Sequence, residues 1–171
     1  DSAASKAVTA NGNVTQTTAQ YKFGSKSAAF NGTTDYLTLA DSDDWNFGSG
    51  DFTIDCWARF NSLSGYQSIV GYANDTGNVL RFCALTSTST TADIGLQLAI
   101  DGNNVFNIYT TSAPLTTNTW YHLAAVRNGN NFNIYVNGIS VASGTNSTAI
   151  PDWSYFTIGS NVHRTRLSKI C

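Results

Sequence analysis

The segment at residues 119–138, TWYHLAAVRNGNNFNIYVNG, restricts the possible folds of this chain more than any other part of the sequence. Asn-Gly pairs stand at 128–129 and 137–138, and both residue types tolerate the positive φ that tight hairpin turns require. Apolar and polar residues alternate on either side of these pairs, which is the period of a half-buried strand. The segment therefore predicts a three-stranded antiparallel meander, with His122 in the middle of its first strand.

Similar strand-like runs recur along the rest of the chain between Gly, Asn and Asp turn signals. No segment keeps an apolar period of 3.6 residues over the length of a helix. The predicted strands are residues 27–30, 36–39, 52–60, 67–72, 79–85, 94–100, 104–109, 120–128, 131–137, 139–143 and 155–158. A spacing of about 8–12 residues between such runs is typical of an all-β antiparallel sandwich or barrel.

The run at residues 52–60 predicts how one strand divides its side chains between two faces. Alternation places the apolar residues on one face: Phe52, Ile54, Cys56, Ala58 and Phe60. The other face carries Thr53, Asp55, Trp57 and Arg59. We expect the first face to lie in the core and the second to be half covered by loops.

The length and charge of the chain exclude several classes of protein. Its 171 residues fit a single domain that spans residues 1–171 and can bury a substantial core. The nine Lys and Arg residues are few and scattered, apart from a small group near the C-terminus, which argues against nucleic-acid binding. No apolar stretch is long enough to insert into a membrane. Because methionine is absent, we expect a processed product or a piece of a longer polypeptide.

The three cysteines, Cys56, Cys83 and Cys171, cannot all pair within one chain. None has the close Cys-x-x-Cys spacing of a zinc site or a redox motif. Cys56 and Cys83 lie in strand-like runs, where a small apolar residue fits a sheet, so we expect buried free thiols. Cys171 is expected to be exposed at the end of the chain.

Ordered motifs along most of the chain are similar to those of laminin G-like jelly-roll domains in the concanavalin A-like lectin/glucanase superfamily. The meander WYHLAAVRNG followed by NIYVNG carries the resemblance, together with FGSKSAAFNGTTDYLTL and DSDDWNFGSGDFTIDCW upstream of it. The first residues, DSAASKAVTANGNV, are similar to such domains in bacteriophage virion and tail-fibre proteins. The resemblance implies a β-sandwich of two antiparallel sheets and treats His122 as part of the scaffold.

The sequence departs from this family pattern at two places. The family usually has a larger residue where Cys56 stands. After about residue 160, IGSN runs almost directly into RLSK at residues 166–169, without the acidic start of a closing strand. The resemblance therefore implies a shortened or atypical C-terminal strand and a sheet edge open to a partner, including a second copy of the chain.

Glycoside hydrolysis is a remote alternative, and we expect no enzymatic activity. Glucanases of the superfamily resemble one another in a Glu-x-Asp-x-x-Glu strand motif, but all eleven carboxylates here are aspartates. Asp51 and Asp55 would lie about 13 Å apart on one strand face, whereas glycosidases hold two carboxyl groups either about 5.5 Å or about 6.5–9.5 Å apart. Asp41 and Asp43 precede Trp45 in a pattern typical of the cap of a helical turn.

Calcium is the cofactor for which the sequence offers candidate ligands. The resemblance implies one ion on the loop rim, held by Asp and Asn oxygens and backbone carbonyls. The candidates are Asp75 with Asn74 and Asn78, and Asp101 with Asn103. The alternative is that these residues only form turns, a role for which Asn and Asp are well suited.

A sugar site needs an aromatic platform beside amides or carboxylates, because sugars offer C–H faces for stacking and hydroxyls for hydrogen bonds. Aromatic residues in or near predicted loops are the candidates, with Asn103 as a polar partner: Tyr66, Tyr72, Tyr109, Trp153 and Tyr155. Ordinary packing of the loop rim is the alternative for each of them.

We therefore expect a non-catalytic carbohydrate-binding and adhesion module of a virion or cell-surface protein, located outside the cell. Its partner would be a surface polysaccharide or another glycan. The alternative is a purely structural decoration or assembly domain that associates through its open sheet edge. A jelly roll hosts many functions, so the fold class alone does not choose between the two.

Overall fold

The structure is a computed structural model that describes residues 6–86, 90–112 and 114–160. In these residues the chain forms fourteen strands and one 3-10 helix. The strands are β1 (Val8–Asn11), β2 (Thr15–Thr17), β3 (Ser27–Ala29), β4 (Tyr36–Leu39), β5 (Phe52–Arg59), β6 (Gln67–Ala73), β7 (Val79–Thr86), β8 (Thr91–Ile100), β9 (Asn103–Tyr109), β10 (Leu115–Thr116), β11 (Trp120–Asn128), β12 (Asn131–Val136), β13 (Ile139–Thr145) and β14 (Tyr155–Ile158). The 3-10 helix covers Asp43–Trp45. None of these described elements is a helix long and apolar enough to cross a membrane.

The strands form two main sheets in which every pair is antiparallel. The eight-stranded sheet has the order β1-β4-β14-β6-β7-β8-β10, and β9 also pairs with β8. The four-stranded sheet has the order β13-β12-β11-β5, and β2 and β3 form a separate hairpin. The chain is thus an all-β antiparallel sandwich of the jelly-roll class, which confirms the predicted fold.

The predicted meander is formed by β11, β12 and β13. Positive φ angles occur at Gly129 (59°), Asn137 (52°) and Gly138 (81°), where the two hairpins turn. Asn137 also ties the second turn to β11, because its backbone N–H donates to the His122 carbonyl (2.8 Å) and its side-chain Oδ1 accepts the His122 N–H (3.0 Å). The Asn-Gly pairs therefore determine where these strands reverse.

The core lies between the two sheets and is built from alternate residues of their strands. Large apolar side chains of the eight-stranded sheet, such as Phe82 and Leu96, belong to one buried cluster with Leu123 and Phe132 of the four-stranded sheet. The Phe106 and Phe132 rings, one from each sheet, lie 4.6 Å apart between centroids. Such close packing accounts for most of the expected stability, since burial of one such side chain contributes about 1.5–3 kcal/mol.

The predicted division of β5 into two faces is confirmed. Ala58 is buried, and Phe52, Ile54 and Cys56 pack against the core. Thr53 and Asp55, at the alternate positions, are exposed.

Three short strands that the sequence did not predict lie next to other strands of the structure. β1 pairs with β4, β2 pairs with β3, and β10 pairs with β8. Most of their residues are exposed and polar, so they carry no hydrophobic alternation for a pattern to detect. They form because their backbone groups pair with those of a neighbouring strand, β4, β3 or β8, which the local side-chain pattern does not reveal.

Cys56 and Cys83 are free and lie in different sheets. Burial raises the pKa of both thiols to about 12, so both stay neutral near pH 7. Cys171 and the predicted closing strand at residues 166–169 lie outside the described residues. The prediction that one domain spans the whole chain stays a prediction.

Candidate functional site

His122 has its partners within the four-stranded sheet. Its Nε2 lies 2.9 Å from Asp55 Oδ2, and its ring centroid lies 5.5 Å from that of Trp57. The loop between β2 and β3 covers Trp57, because Lys22 Nζ lies 4.4 Å from the Trp57 ring and Phe23 packs edge-on against it. The histidine thus stabilises neighbouring strands, as the sequence predicts for a scaffold residue.

Arg127 lies on the inner side of β11 and is almost completely buried, with 1% exposure. Its Nε donates to the Gly129 carbonyl (2.9 Å) and its Nη1 donates to the Gly48 carbonyl (3.0 Å). The guanidinium also lies 5.1 Å from the Phe132 ring. Arg127 therefore ties two loops to the core and presents no charge to a ligand.

Two of the carboxylates considered for hydrolysis, Asp51 and Asp55, each have a local structural partner. Asp51 Oδ1 accepts the Gly129 N–H, and Asp55 contacts His122. Ser42 caps the 3-10 helix by accepting the Asp44 N–H, as predicted for this run of residues. A hydrogen bond and charge attraction from Lys6 lower the pKa of Asp44.

The predicted calcium ligands do lie together on the loop rim, where the β6–β7 turn meets the β8–β9 turn. Asp75 Oδ1 accepts hydrogen bonds from the Gly77 N–H (2.8 Å) and from the side-chain amide N–H of Asn78 (3.1 Å). The same amide nitrogen also donates to Asp75 Oδ2 (3.1 Å). Asn78 Oδ1 accepts the Asp101 N–H (3.0 Å). The Gly77 carbonyl accepts the N–H of Gly102 and so joins the two turns directly.

This geometry fits turn formation better than calcium binding. Calcium takes six to eight oxygen ligands. Here both Asp75 oxygens instead accept hydrogen bonds from N–H groups, and Asn78 turns its amide nitrogen, not its oxygen, towards them. Within the described ranges, no cluster of three or more His, Cys or Asp side chains is arranged to hold a metal ion. Calcium binding stays a prediction, and the turn-forming alternative is the one that the hydrogen bonds support.

A chelator is therefore expected to leave the thermal midpoint of the protein unchanged. Replacing Asp75 by alanine is expected to lower stability by about 1 kcal/mol, because the turn loses its side-chain acceptor. Thermal unfolding with calcium and with chelator, followed by circular dichroism, measures both effects. A midpoint that rises with calcium in the wild type but not in Asp75→Asn would show an ion site instead.

Two of the predicted sugar-contacting residues, Tyr72 and Trp153, lie in the core. Tyr72 is 0% exposed and Trp153 is 5% exposed, and their ring centroids lie 5.6 Å apart. Tyr72 Oη donates to Asp152 Oδ1 (2.8 Å) and accepts a hydrogen bond from the backbone N–H of Trp153 (2.7 Å). Neither ring offers a face to solvent, so neither residue can form part of a sugar platform, contrary to the prediction from the sequence.

The other aromatic candidates are exposed, but they do not all meet. Tyr66 is 57% exposed, Tyr109 is 53% exposed and Tyr155 is 52% exposed. Tyr66 and Tyr109 line one groove, and Tyr155 is not part of its lining. Asn103 begins β9 and Tyr109 ends it, so the two lie about 20 Å apart. Asn103 instead donates to the Asp101 carbonyl in the β8–β9 turn (3.2 Å).

The tyrosine groove has a volume of about 240 Å³ and lies along β7, β8 and β9. Its lining consists of Tyr66, Cys83, Leu85, Gly95, Leu96, Gln97, Asn107, Ile108 and Tyr109. Strand register explains why these residues meet. Cys83, Gly95 and Tyr109 are paired across the three strands, and Gln97 pairs with Asn107 two residues further along β8.

Gly95 lets β9 pack closely against β8 where both strands line the groove. A β-carbon at this position would lie 2.7 Å from Tyr109 Cβ and 2.8 Å from the Ile108 carbonyl oxygen. Both distances are too short for a real contact, so a side chain here would displace Tyr109. The groove is thus lined by two aromatic residues, Tyr66 and Tyr109, together with the amide side chains of Gln97 and Asn107.

Sequence reasoning named the two tyrosines but missed Gly95, Gln97 and Asn107. Their signal is positional, because Gln97 and Asn107 alternate with the core residues of β8 and β9. Alternation identifies the outward positions, but only the register between strands shows which of them are neighbours.

Solved structures share this fold at low sequence identity, and no curated protein sequence matches the chain. Domain 4 of AbnA, a GH43 extracellular arabinanase from Geobacillus stearothermophilus, in complex with arabinotriose, is 18% identical. The alignment has a TM-score of 0.69 and covers 96% of this chain and 78% of that chain.

Two further solved structures share the fold. The CBM40 of a Ruminococcus gnavus IT-sialidase bound to alpha2,3 sialyllactose is 14% identical, with a TM-score of 0.56 over 70% of this chain and 73% of that chain. The enzymatically active domain of tailspike protein 2 from bacteriophage CBA120 is 17% identical, with a TM-score of 0.53 over 78% of this chain and 22% of that chain.

The family match is made by sequence and covers most of the chain. The laminin G profile of the concanavalin A-like lectin/glucanase superfamily matches residues 31–168, which include the meander, the whole four-stranded sheet and every strand of the eight-stranded sheet except β1. The order of strands observed in the structure agrees with this assignment. The chain therefore belongs to the laminin G family of the concanavalin A-like lectin/glucanase superfamily.

Proposed function

We propose that the chain is a non-catalytic carbohydrate-binding module and that the tyrosine groove is its binding site. The observation that carries the proposal is the pair of exposed tyrosines, Tyr66 and Tyr109, on one groove with the amides of Gln97 and Asn107. Aromatic rings stack on the C–H faces of sugars, and amides bond to their hydroxyls. The similar structures that hold arabinotriose and sialyllactose support a sugar as the ligand.

The size of the groove suits a short stretch of glycan. Its volume of about 240 Å³ is just below the roughly 300–1,000 Å³ of typical small-molecule sites. One or two sugar units would therefore be enclosed, while the rest of the polymer stays in solvent. Weak affinity follows, because few contacts must offset the loss of translational and rotational freedom on binding.

We place this activity on an extracellular surface, as adhesion of a virion or a cell-surface protein to polysaccharide. The similarity to a phage tailspike domain and to a domain of an extracellular arabinanase supports that setting.

Assembly through a sheet edge is the second candidate function. Among the described strands β5 pairs only with β11, so the other edge of β5 leaves backbone donors and acceptors for an added strand. Eight residues, Phe52–Arg59, form this edge. Backbone pairing at such an edge is a common route to self-association.

The two candidates predict different results on a glycan array followed by calorimetry with the best-bound glycan. We expect Tyr109→Ala and Tyr66→Ala each to weaken binding by about tenfold, or roughly 1.4 kcal/mol, because each removes a stacking ring. Tyr155→Ala is the matched control, since this ring is equally exposed but outside the groove.

An equal loss of binding in Tyr155→Ala would contradict the assignment of the groove. A blank array together with dimers in sedimentation would favour assembly instead.

A further inference from the structure

Arg81 lies beside the tyrosine groove, on the side of β7 that faces away from the core. It pairs with Gly71 of β6 on one side and with Gln97 of β8 on the other. Gln97 pairs in turn with Asn107, so Arg81 continues the row of polar groups that borders the groove. Gly71 has no side chain, so the residue opposite Arg81 on β6 offers no side-chain acceptor.

The guanidinium of Arg81 differs from the two other arginines that the structure describes. Arg59 Nη2 donates to Asn118 Oδ1 (2.9 Å), and Arg127 donates to two loop carbonyls. No residue within the described ranges accepts a hydrogen bond from Arg81, and its Nε is buried without a partner, as is Nη2 of Arg127. Arg81 is half-buried, so an external acceptor can be bound only by its terminal nitrogens, Nη1 and Nη2, and not by the buried Nε.

No carboxylate within the described ranges forms an ion pair with Arg81. Cys83, two residues along the same face, lines the groove and stays neutral because burial raises its pKa to about 12, although the charge of Arg81 acts in the opposite direction. Asp93 also points away from the core on β8, and its Oδ1 accepts a hydrogen bond from Thr110 Oγ1 (2.8 Å). The chain as a whole carries a net charge of −2, so this is a local positive site on an acidic molecule.

We infer that the tyrosine groove selects glycans that carry a carboxylate, with Arg81 as the residue that binds this group. A carboxylate accepts two parallel hydrogen bonds from a guanidinium, which neutral hydroxyls cannot match in strength. The sugar ring would stack between Tyr66 and Tyr109 while its acid group reaches the row of Arg81 and Gln97. This inference rests on the proposed function and names the class of its ligand.

The inference is tested with matched glycan pairs in which the carboxylate is either free or methyl-esterified. Oligogalacturonate and sialyllactose are printed on an array beside their methyl esters, with sulfated and neutral oligosaccharides as further arms. We expect at least one acid to bind about tenfold or more tightly than its ester, and added salt to reduce this preference.

Substitutions then assign the preference to Arg81. Arg81→Gln is expected to abolish the preference for acid over ester, because it weakens binding of the acid far more than binding of the ester. Arg81→Lys keeps the charge but not the planar fork, so it should retain part of the preference and serves as the folded variant should Arg81→Gln unfold. Arg59→Gln, on the other sheet, is the control and should bind like the wild type.

Several outcomes would overturn the inference while leaving the binding module intact. One is that neutral glycans bind most tightly, and another is that sulfated glycans bind more tightly than carboxylated ones. A third is that Arg81→Gln keeps the preference for acid over ester. A blank array, or glycan binding that Tyr109→Ala does not weaken, would instead overturn the proposed function of the groove.

Discussion

Replacing Tyr72 by alanine is expected to lower the free energy of unfolding by about 3–5 kcal/mol, the usual range for a buried aromatic residue. The ring is 0% exposed and packs against Trp153, Phe47 and Phe156. Its removal would leave a cavity and would also deprive Asp152 and the Trp153 N–H of their hydrogen-bond partner. Urea unfolding followed by tryptophan fluorescence measures the change.

Tyr72→Phe separates the hydroxyl from the ring, since it keeps the packing and loses only the two hydrogen bonds. We expect a loss of about 1–3 kcal/mol in this variant. An alanine variant as stable as the wild type but unable to bind glycan would contradict the burial of this residue and return it to the binding surface.

The buried hydroxyl of Tyr72 also predicts a dependence of stability on pH. Burial raises the pKa of Tyr72 to about 12, whereas a tyrosine in an unfolded chain ionises near about 10. Above pH 10 the unfolded state therefore binds fewer protons than the folded state, so stability falls with rising pH. This contribution is fully present below about pH 10 and is lost as the pH rises towards 12. The Tyr72→Phe variant should lack this contribution to the pH dependence. Urea unfolding of the wild type and of Tyr72→Phe, repeated between about pH 10 and 12, measures the difference.

Arg127→Ala is expected to cost about 2–4 kcal/mol, because an almost completely buried side chain loses both its packing and its hydrogen bonds. The Gly48 and Gly129 carbonyls would lose the donors that hold their loops against the sandwich. Arg127→Lys keeps the charge and most of the apolar stem but cannot reach both carbonyls with a planar fork, so it should fall between alanine and the wild type. Urea unfolding of the wild type, Arg127→Lys and Arg127→Ala measures the order of their free energies of unfolding.

Glycan binding separates this structural role from a functional one. Below the unfolding transition, Arg127→Ala should bind glycan as the wild type does, because Arg127 is buried and does not line the tyrosine groove. Normal stability with lost binding would instead assign Arg127 to a ligand site.

The sequence by itself determined the local features of this protein. Alternation of side chains is a property of the extended backbone, so the faces of β5 and the strands of the meander followed from neighbouring residues alone. The Asn-Gly pairs located the hairpin turns because positive φ is a local requirement. The ordered motifs then identified the family and its two-sheet architecture, which the profile match confirms.

Only the tertiary structure decided which outward residues are exposed and which of them meet. Tyr72 and Tyr109 both stand near strand ends in aromatic-rich runs, yet the first is buried against Trp153 and the second borders a groove. The difference depends on which face of each strand the opposite sheet covers, and no single segment contains that information. Likewise Arg81, Gln97 and Asn107 are distant in sequence and become neighbours only through the register of three strands. Register arises from long-range backbone pairing and from burial of one whole face at once, so the sequence pattern could place each residue on a face but could not assemble the site.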